Sequence, residues 1–170
     1  MARIGLDYLI PAIAVGAGAT AVMDLWNLCV KLVLGIPSLD YCLLGRWICH
    51  MRHGTVRHLS IAAAAPKPLE CILGRTAHYT IGVVLGVAFV SLAPSDWLTR
   101  PTVLPSLIFG IITVAFPFFI MQPSLGLGVA SSKTRNPLQA RLKSLMSHTA
   151  FGVGLYLCAV AMGAVLRTRG

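Results

Sequence analysis

Two histidines of this sequence stand at the start of apolar runs, and each is followed by a glycine one helical turn later. The two segments, at residues 78–85 and 148–155, both read His-x-x-x-Gly-Val-x-Leu. Residues four apart share one face of a helix, so each imidazole would stand beside a narrow strip of bare backbone. An imidazole at the edge of an apolar layer can carry a proton, bind a polar solute or ligate a metal.

A carboxylate and an amide complete the set of polar groups inside apolar segments. Asp24 lies about 11 residues, or ~16 Å, from the end of the first predicted helix, which places it near the midplane of a bilayer. An ionised carboxylate there costs about 3 kcal/mol, so it must pair, face other helices or be protonated. Gln122 ends the third predicted helix on the side where both histidines enter. We predict a polar pocket in the cytoplasmic half of the protein, formed by Asp24, Asn27, His78, Gln122, His148 and Tyr156.

Three uses of these groups compete. The first, which we favour, is a pocket or pathway for a small ion, proton or polar solute, with Asp24 as the carrier carboxylate. The second is haem b or a transition metal held between His78 and His148, with Gly82 and Gly152 leaving room for a flat macrocycle. The third is a structural or assembly subunit, in which the polar groups bond to one another and glycines pack the helices.

The composition sets the class of protein. Hydrophobic residues make up 56% of the 170 residues and charged residues 11%, about half the charged fraction of soluble domains. With a mean hydropathy of +0.80, the chain is predicted to be a multi-pass α-helical membrane protein. Only five residues are acidic, and no P-loop, Gly-x-Ser-x-Gly or His-Glu-x-x-His motif occurs, so we do not predict an enzyme.

The apolar runs predict an all-α fold, a four-helix membrane bundle in one domain over residues 1–170. The helices are expected at about 8–35, 69–93, 103–121 and 137–166, with Pro117 kinking the third. The first helix is expected to stay uncleaved. A short amphipathic helix within residues 40–51, capped by Ser38 or Asp40, should lie at the membrane interface with Trp47 at headgroup depth, and Trp97 should be a second interfacial anchor. The glycines expected to pack helices are Gly16, Gly74, Gly82, Gly86, Gly110 and Gly152.

The net charge of +9 is explained by orientation in a bilayer better than by nucleic acid binding. Ten basic residues flank or lie in the two long loops, whereas only Arg3, Arg100, Arg167 and Arg169 lie on the opposite side. The positive-inside rule therefore predicts cytoplasmic long loops and both termini outside. The expected partners are the lipid bilayer, a small ion or solute, and a second copy of the chain.

The five cysteines include no Cys-x-x-Cys pair and are odd in number, which predicts reduced thiols rather than a disulfide framework. Cys49, His50, His53 and His58 could bind zinc or copper. The charges of Arg52 and Arg57 oppose a cation, so this segment is better interpreted as a basic surface that meets anionic lipid headgroups.

Three landmarks recur in the same order in the two halves of the chain. They are the pairs 10–16 with 104–110, 37–39 with 123–125, and the two histidine segments. The repeats suggest two helical hairpins of common ancestry, in parallel orientation.

Three further motifs carry a resemblance that extends over nearly the whole chain from Met23 onward. They are Gly45-Arg46-Trp47 with His50-Met51, Pro117-Phe118-Phe119 with Met121-Gln122-Pro123 and Gly126, and His148 with Phe151-Gly152-x-Gly154-Leu155-Tyr156. In these motifs the chain resembles a bacterial family of four-helix inner-membrane proteins with no assigned function. The resemblance implies a multi-pass inner-membrane protein and implies no activity, ligand or site.

Overall fold

The computed structural model describes residues 6–37 and 39–167, and the side chains of residues 8–37 and 39–164. The described chain is all α-helical. Its α-helices are α1 (Leu6–Leu34), α2 (Tyr41–Met51), α3 (Glu70–Leu92), α4 (Val103–Thr113), α5 (Gln122–Ser124) and α6 (Pro137–Arg167). Two 3₁₀ turns (Ile61–Ala63 and Val129–Ser131) and a π-helical segment (Pro117–Met121) complete the described elements, which include no strand.

Four segments are long and apolar enough to cross a membrane: Tyr8–Leu34, Glu70–Leu92, Val103–Ser124 and Pro137–Ala164. This confirms the prediction of four candidate membrane spans from the apolar runs. Large apolar side chains remain exposed along them, for example Leu32 and Ile112. Exposed apolar surface of this extent is typical of helices that face lipid.

The third span is interrupted where the sequence places a proline. α4 ends at Thr113, and residues Pro117–Met121 form a π-helix in which the Gln122 amide donates to the Pro117 carbonyl. Proline has no amide proton to donate back along the helix, so the regular hydrogen-bond pattern cannot continue through it. The loss of regular α-helix near Pro117 agrees with the proline at that position, whereas the kink itself stays a prediction; the regular part of this helix is shorter than residues 103–121.

Two α-helices begin directly after a residue whose side chain caps the helix N-terminus. Asp40 accepts from the amide of Cys42 at the start of α2, and Asn136 accepts from the amide of Gln139 at the start of α6. The alternative cap, Ser38, lies outside the described residues, as do the terminal cations Arg3 and Arg169. α3 begins at Glu70 rather than directly after Pro68.

The chain forms two compact units. The first comprises the described parts of Met1–Ile36, Tyr79–Ile112 and Ser147–Gly170, and the second comprises Pro37–His78 and Thr113–Met146. The core of the first unit contains Val15, Ala19, Met23, Phe89, Trp97, Leu98, Phe151, Leu155 and Ala159. Trp97 is only 2% exposed, lies edge-on to Phe89 at 4.7 Å, and donates its indole N–H to the Thr102 carbonyl. The expectation that Trp97 anchors the membrane interface is therefore wrong, because its ring is enclosed by protein.

Glycines bring the helices of the first unit into backbone contact. A Cβ atom on Gly16 of α1 would lie 2.8 Å from the Gly82 carbonyl oxygen of α3. A Cβ atom on Gly110 of α4 would lie 2.6 Å from the Gly152 Cα of α6. A Cβ atom on Gly154 would lie 2.8 Å from the Cα of Ala19, so α6 also packs closely on α1. Small residues allow this approach, which maximises van der Waals contact between apolar helices.

The second unit has a separate core, formed by Leu44, Trp47, Ile61, Met121 and Leu125. The amphipathic pattern predicted for α2 agrees with this core, because the apolar face of that helix supplies two of its members. Trp47 is only 6% exposed, and its indole N–H donates to the Val56 carbonyl at 2.7 Å. The expectation that Trp47 lies among lipid headgroups is therefore wrong for the same reason as for Trp97.

A disulfide in the second unit corrects the expectation that all five cysteines are reduced. Cys42 of α2 is bonded to Cys71 of α3, with their Cα atoms 3.8 Å apart. Counting cysteines could not reveal the pair, because the bonded residues come from different helices, 29 positions apart. Cys29, Cys49 and Cys158 are free thiols.

Candidate functional site

The first unit holds a polar contact between α1 and α6, two helices whose membrane-crossing parts are mainly apolar. Ser147 donates a hydrogen bond to the Asn27 side-chain oxygen at 2.5 Å, and the Ser147 side chain is buried. Asp24 lies one helical turn before Asn27, and His148 directly follows Ser147. Both Asp24 and His148 are partly buried, and each has an interaction partner. Asp24 and His148 thus lie within one helical turn of this hydrogen bond along their own helices, on two adjacent candidate spans.

Two neighbours extend the polar character of these helices. The Thr20 hydroxyl, on the same stripe of α1 as Asp24, donates to the Gly16 carbonyl at 2.8 Å and is buried. Tyr156 is partly buried on α6, eight residues beyond His148. The first unit therefore contains four of the six predicted pocket residues: Asp24, Asn27, His148 and Tyr156.

The remaining two predicted pocket residues, His78 and Gln122, belong to the second unit. His78 Nε2 lies 3.0 Å from the Tyr41 hydroxyl, and the two rings stack with centroids 4.3 Å apart. Gln122 is 5% exposed, and its amide nitrogen lies 3.3 Å from the Ser144 hydroxyl. The Gln122 side-chain oxygen has no protein partner within the described residues. A buried amide oxygen of this kind can accept a hydrogen bond from water or from a small donor.

Metal ligation finds little support in this arrangement. The Nε2 atom of His78, which could ligate haem iron, is engaged by Tyr41. Among the residues that the structure describes, no group of three or more His, Cys, Asp or Glu side chains could hold a metal ion. In the histidine-rich segment, His50 Nε2 lies 3.1 Å from the Ala65 carbonyl oxygen and its ring stands edge-on to His58 at 5.1 Å.

All six glycines proposed for helix packing are buried: Gly16, Gly74, Gly82, Gly86, Gly110 and Gly152. Gly82 faces the Thr20 side chain, and Gly86 faces the backbone of Gly16. Gly74 belongs to the other unit, where it meets the backbone of Tyr41 and Gly45 in α2.

The sequence analysis missed the pairing of α2 with α3 in the second unit. Arg46 binds both carboxylate oxygens of Glu70, at 2.7 and 2.9 Å, and also donates to three carbonyl groups of residues 61–64. The hydrogen bond to Glu70 raises the pKa of Arg46 above its usual value. Glu70 is 9% exposed and also accepts from the Lys67 amide. Arg46 thereby fixes both α3 and the loop before it to α2.

A second internal repeat marks this pairing in the sequence. Residues 42–46 read Cys-Leu-Leu-Gly-Arg and residues 71–75 read Cys-Ile-Leu-Gly-Arg. In the structure the two cysteines are bonded to each other and the two glycines meet. Comparing the loop with the start of the following helix would have suggested that the two segments pack together.

Comparison with known proteins adds no activity. A family model described as a protein of unknown function (DUF2938) matches residues 13–162. No curated protein and no solved structure matches the chain.

Proposed function

Because the chain belongs to the DUF2938 family of proteins of unknown function, we propose its role from its own polar residues: it is a membrane protein that binds and passes a small ion, proton or polar solute. The site that we assign is the α1–α6 cluster of Asp24, Asn27, Ser147 and His148. The observation that carries the proposal is the partly buried hydrogen bond between Ser147 and Asn27, which joins two candidate spans one helical turn from Asp24.

The energetics favour a functional interpretation of this cluster. Asp24 lies ten residues before the end of α1 at Leu34, about 15 Å into the span. A charged side chain at such a depth costs about 3 kcal/mol, and helix packing does not require it. Glycine and alanine already pack α1 against α6 at Gly154 and Ala19, so the polar groups are not needed to join these helices.

The proposed cellular location and orientation rest on the interpretation of the chain as a multi-pass membrane protein. We propose a bacterial inner-membrane protein with both long loops in the cytoplasm and both termini outside, since nine of the 14 basic residues lie in the sequence of the second unit. The lipid bilayer is its proposed partner, together with a second copy of the chain and no nucleic acid. A reporter enzyme that works only in the cytoplasm should be active when it is inserted at Gly54. Activity of a reporter that works only in the periplasm, inserted at the same position, would overturn this orientation.

Two glycine contacts support the bundle of duplicated hairpins. Under the sequence alignment of the halves, Gly16 corresponds to Gly110 and Gly82 corresponds to Gly152. Gly16 meets Gly82, and Gly110 meets Gly152. Each half thus joins its two helices at corresponding glycines, as expected if one hairpin was duplicated.

The proposal is tested by measuring the flux of protons, ions or solutes across liposome membranes that contain the protein. Purified protein reconstituted in liposomes with an internal pH-sensitive dye should pass protons, or a screened panel of small ions and solutes, and Asp24→Asn should reduce that flux at least about tenfold. The reason is that an amide cannot exchange a proton or balance the charge of a cation. Asp96→Asn is the matched control, because Asp96 is an exposed carboxylate outside the spans and its loss should leave the flux unchanged.

The competing scaffold interpretation predicts a different pattern. If Asp24 only locks the helices, Asp24→Asn will lower the melting temperature while flux stays equal to that of the parent protein. Equal flux from protein-free and protein-loaded liposomes across the whole panel would also contradict the proposal.

A further inference from the structure

The disulfide of the second unit joins two cysteines that occupy the same position in their helices. Cys42 is the second residue of α2, and Cys71 is the second residue of α3. The partial positive charge at a helix N-terminus stabilises a thiolate relative to a thiol. Reduction of this bond therefore releases two sulfurs in surroundings that favour their reactive, charged form.

The charged groups around the two sulfurs agree with this effect. Arg75 follows Cys71 by four residues on the same face of α3. Of the two carboxylates next to the pair, Glu70 is neutralised by Arg46, whereas Asp40 keeps its charge but is exposed, so that water screens it.

The bond is accessible to an incoming thiol. Cys71 is exposed, and Cys42 is partly buried. Arg75 lies one turn further along α3 than Cys71. Because a charged side chain is costly in hydrocarbon, we place the edge of the hydrocarbon layer beyond Arg75, which leaves Cys71 and the first turn of the candidate span Glu70–Leu92 on its polar side. An attacking thiolate would reach the Cys71 sulfur from this side.

Contacts other than the disulfide also hold α2 against α3. The backbones of Gly45 and Gly74 touch, Arg46 binds Glu70, and Tyr41 stacks on His78. Breaking the sulfur–sulfur bond removes none of these contacts, so the two thiols stay adjacent and can be oxidised again. A disulfide that alone held its elements together would lose this geometry on reduction.

We propose that Cys42–Cys71 is a redox-active disulfide that undergoes thiol–disulfide exchange with a dithiol reductant. A thiolate of the reductant attacks the Cys71 sulfur, a mixed disulfide forms, and Cys42 leaves as a thiolate. The second thiol of the reductant then attacks the reductant's first sulfur in the mixed disulfide, and Cys71 leaves as a thiolate. Two electrons and two protons pass to the protein, and the reductant becomes a disulfide. The exchange does not involve Asp24, so a negative result for the exchange would leave the proposed flux untouched, and a negative result for flux would leave the exchange untouched.

The first experiment reduces the folded protein. A variant with Cys29, Cys49 and Cys158 replaced by serine retains only the bonded pair. In lipid nanodiscs without denaturant, dithiothreitol should convert the pair to two thiols that a maleimide gel shift detects, while helical content is retained. Glutathione disulfide should then restore the bond within the monomer. Reduction that requires denaturant, or that unfolds the protein, would show a structural disulfide and overturn the proposal.

The second experiment compares the two ends of one helix. Cys42 and Cys49 are both partly buried on α2, but Cys49 lies near its C-terminus. In variants that retain one of these cysteines alone, Cys42 should react with glutathione disulfide about two- to fivefold faster than Cys49, because the helix dipole increases the thiolate fraction only at the N-terminus. The difference stays this small because a more stable thiolate is also a weaker nucleophile. Equal rates, or a faster Cys49, would contradict the assignment.

Discussion

Replacement of Gly45 by alanine is expected to separate α2 from α3 and to prevent the Cys42–Cys71 bond from forming. A Cβ atom at this position would overlap the carbonyl oxygen of Glu70, and it would lie 2.7 Å from the Gly74 amide nitrogen. Both obstacles are backbone atoms that no side-chain rotation can move. We expect the free energy of unfolding to fall by about 3 kcal/mol, at the upper end of overpacking effects. The loss should occur although alanine favours helix more than glycine does.

Thermal unfolding and a maleimide gel shift for the disulfide measure this effect together. Gly54→Asn is the matched control in the same unit: Gly54 has a φ of +82°, which asparagine tolerates, and no atom lies within 4 Å of a Cβ placed there. The control should retain the disulfide and stay within about 1 kcal/mol of the parent. A Gly45→Ala protein that forms the disulfide and melts with the parent would contradict the close contact of α2 with α3.

Alanine at Gly16 or at Gly110 is expected to destabilise the first unit, and by similar amounts. A Cβ atom on Gly16 would lie 2.8 Å from the Gly82 carbonyl oxygen, and one on Gly110 would lie 2.7 Å from the His148 carbonyl oxygen. In both cases the helices must move apart, and we expect each change to cost about 1–3 kcal/mol, measured by thermal unfolding in lipid nanodiscs. Similar costs follow if the two contacts descend from one duplicated hairpin.

Gly18→Ala provides the comparison on the same helix as Gly16. Its Cβ would meet only the side chain of Cys158, at 2.6 Å from the sulfur, and a Cys158→Ala change in the same protein removes that obstacle. The Gly18→Ala, Cys158→Ala double variant should therefore be more stable than Gly16→Ala. If the double variant and Gly16→Ala melt alike, glycine contacts do not determine the packing of these helices.

Local periodicity is the reason that much of the fold could be predicted. The apolar runs predicted four candidate spans, and the proline at position 117 predicted the interruption that the π-helix forms. Caps are local as well, so Asp40 and Asn136 could be identified from their neighbours. The spacings of eight and four residues between Gly74, Gly82 and Gly86 place them on one face of the helix, and all three are buried.

Contacts between distant segments could not be predicted in the same way. Nothing in the local sequence of Cys42 shows that it pairs with Cys71, and the ion pair of Arg46 with Glu70 depends on the same crossing of helices. Trp97 illustrates a second reason: tryptophan beside a membrane span usually marks the interface, but here Phe89 and the turn after it enclose the ring. The hydrogen bond between Asn27 and Ser147 likewise depends on how α1 packs against α6.

An experimental structure of the protein in lipid nanodiscs, at a resolution that shows ordered water and ions, tests the central claim most directly. The proposed site predicts non-protein density within hydrogen-bonding distance of the Asp24 carboxylate, about 2.6–3.2 Å, beside Asn27 and His148. The same density should be lost in Asp24→Asn while the helices keep their positions. A carboxylate whose oxygens accept only from protein donors, with no water or ion beside it, would contradict the account and leave the cluster as a lock between helices.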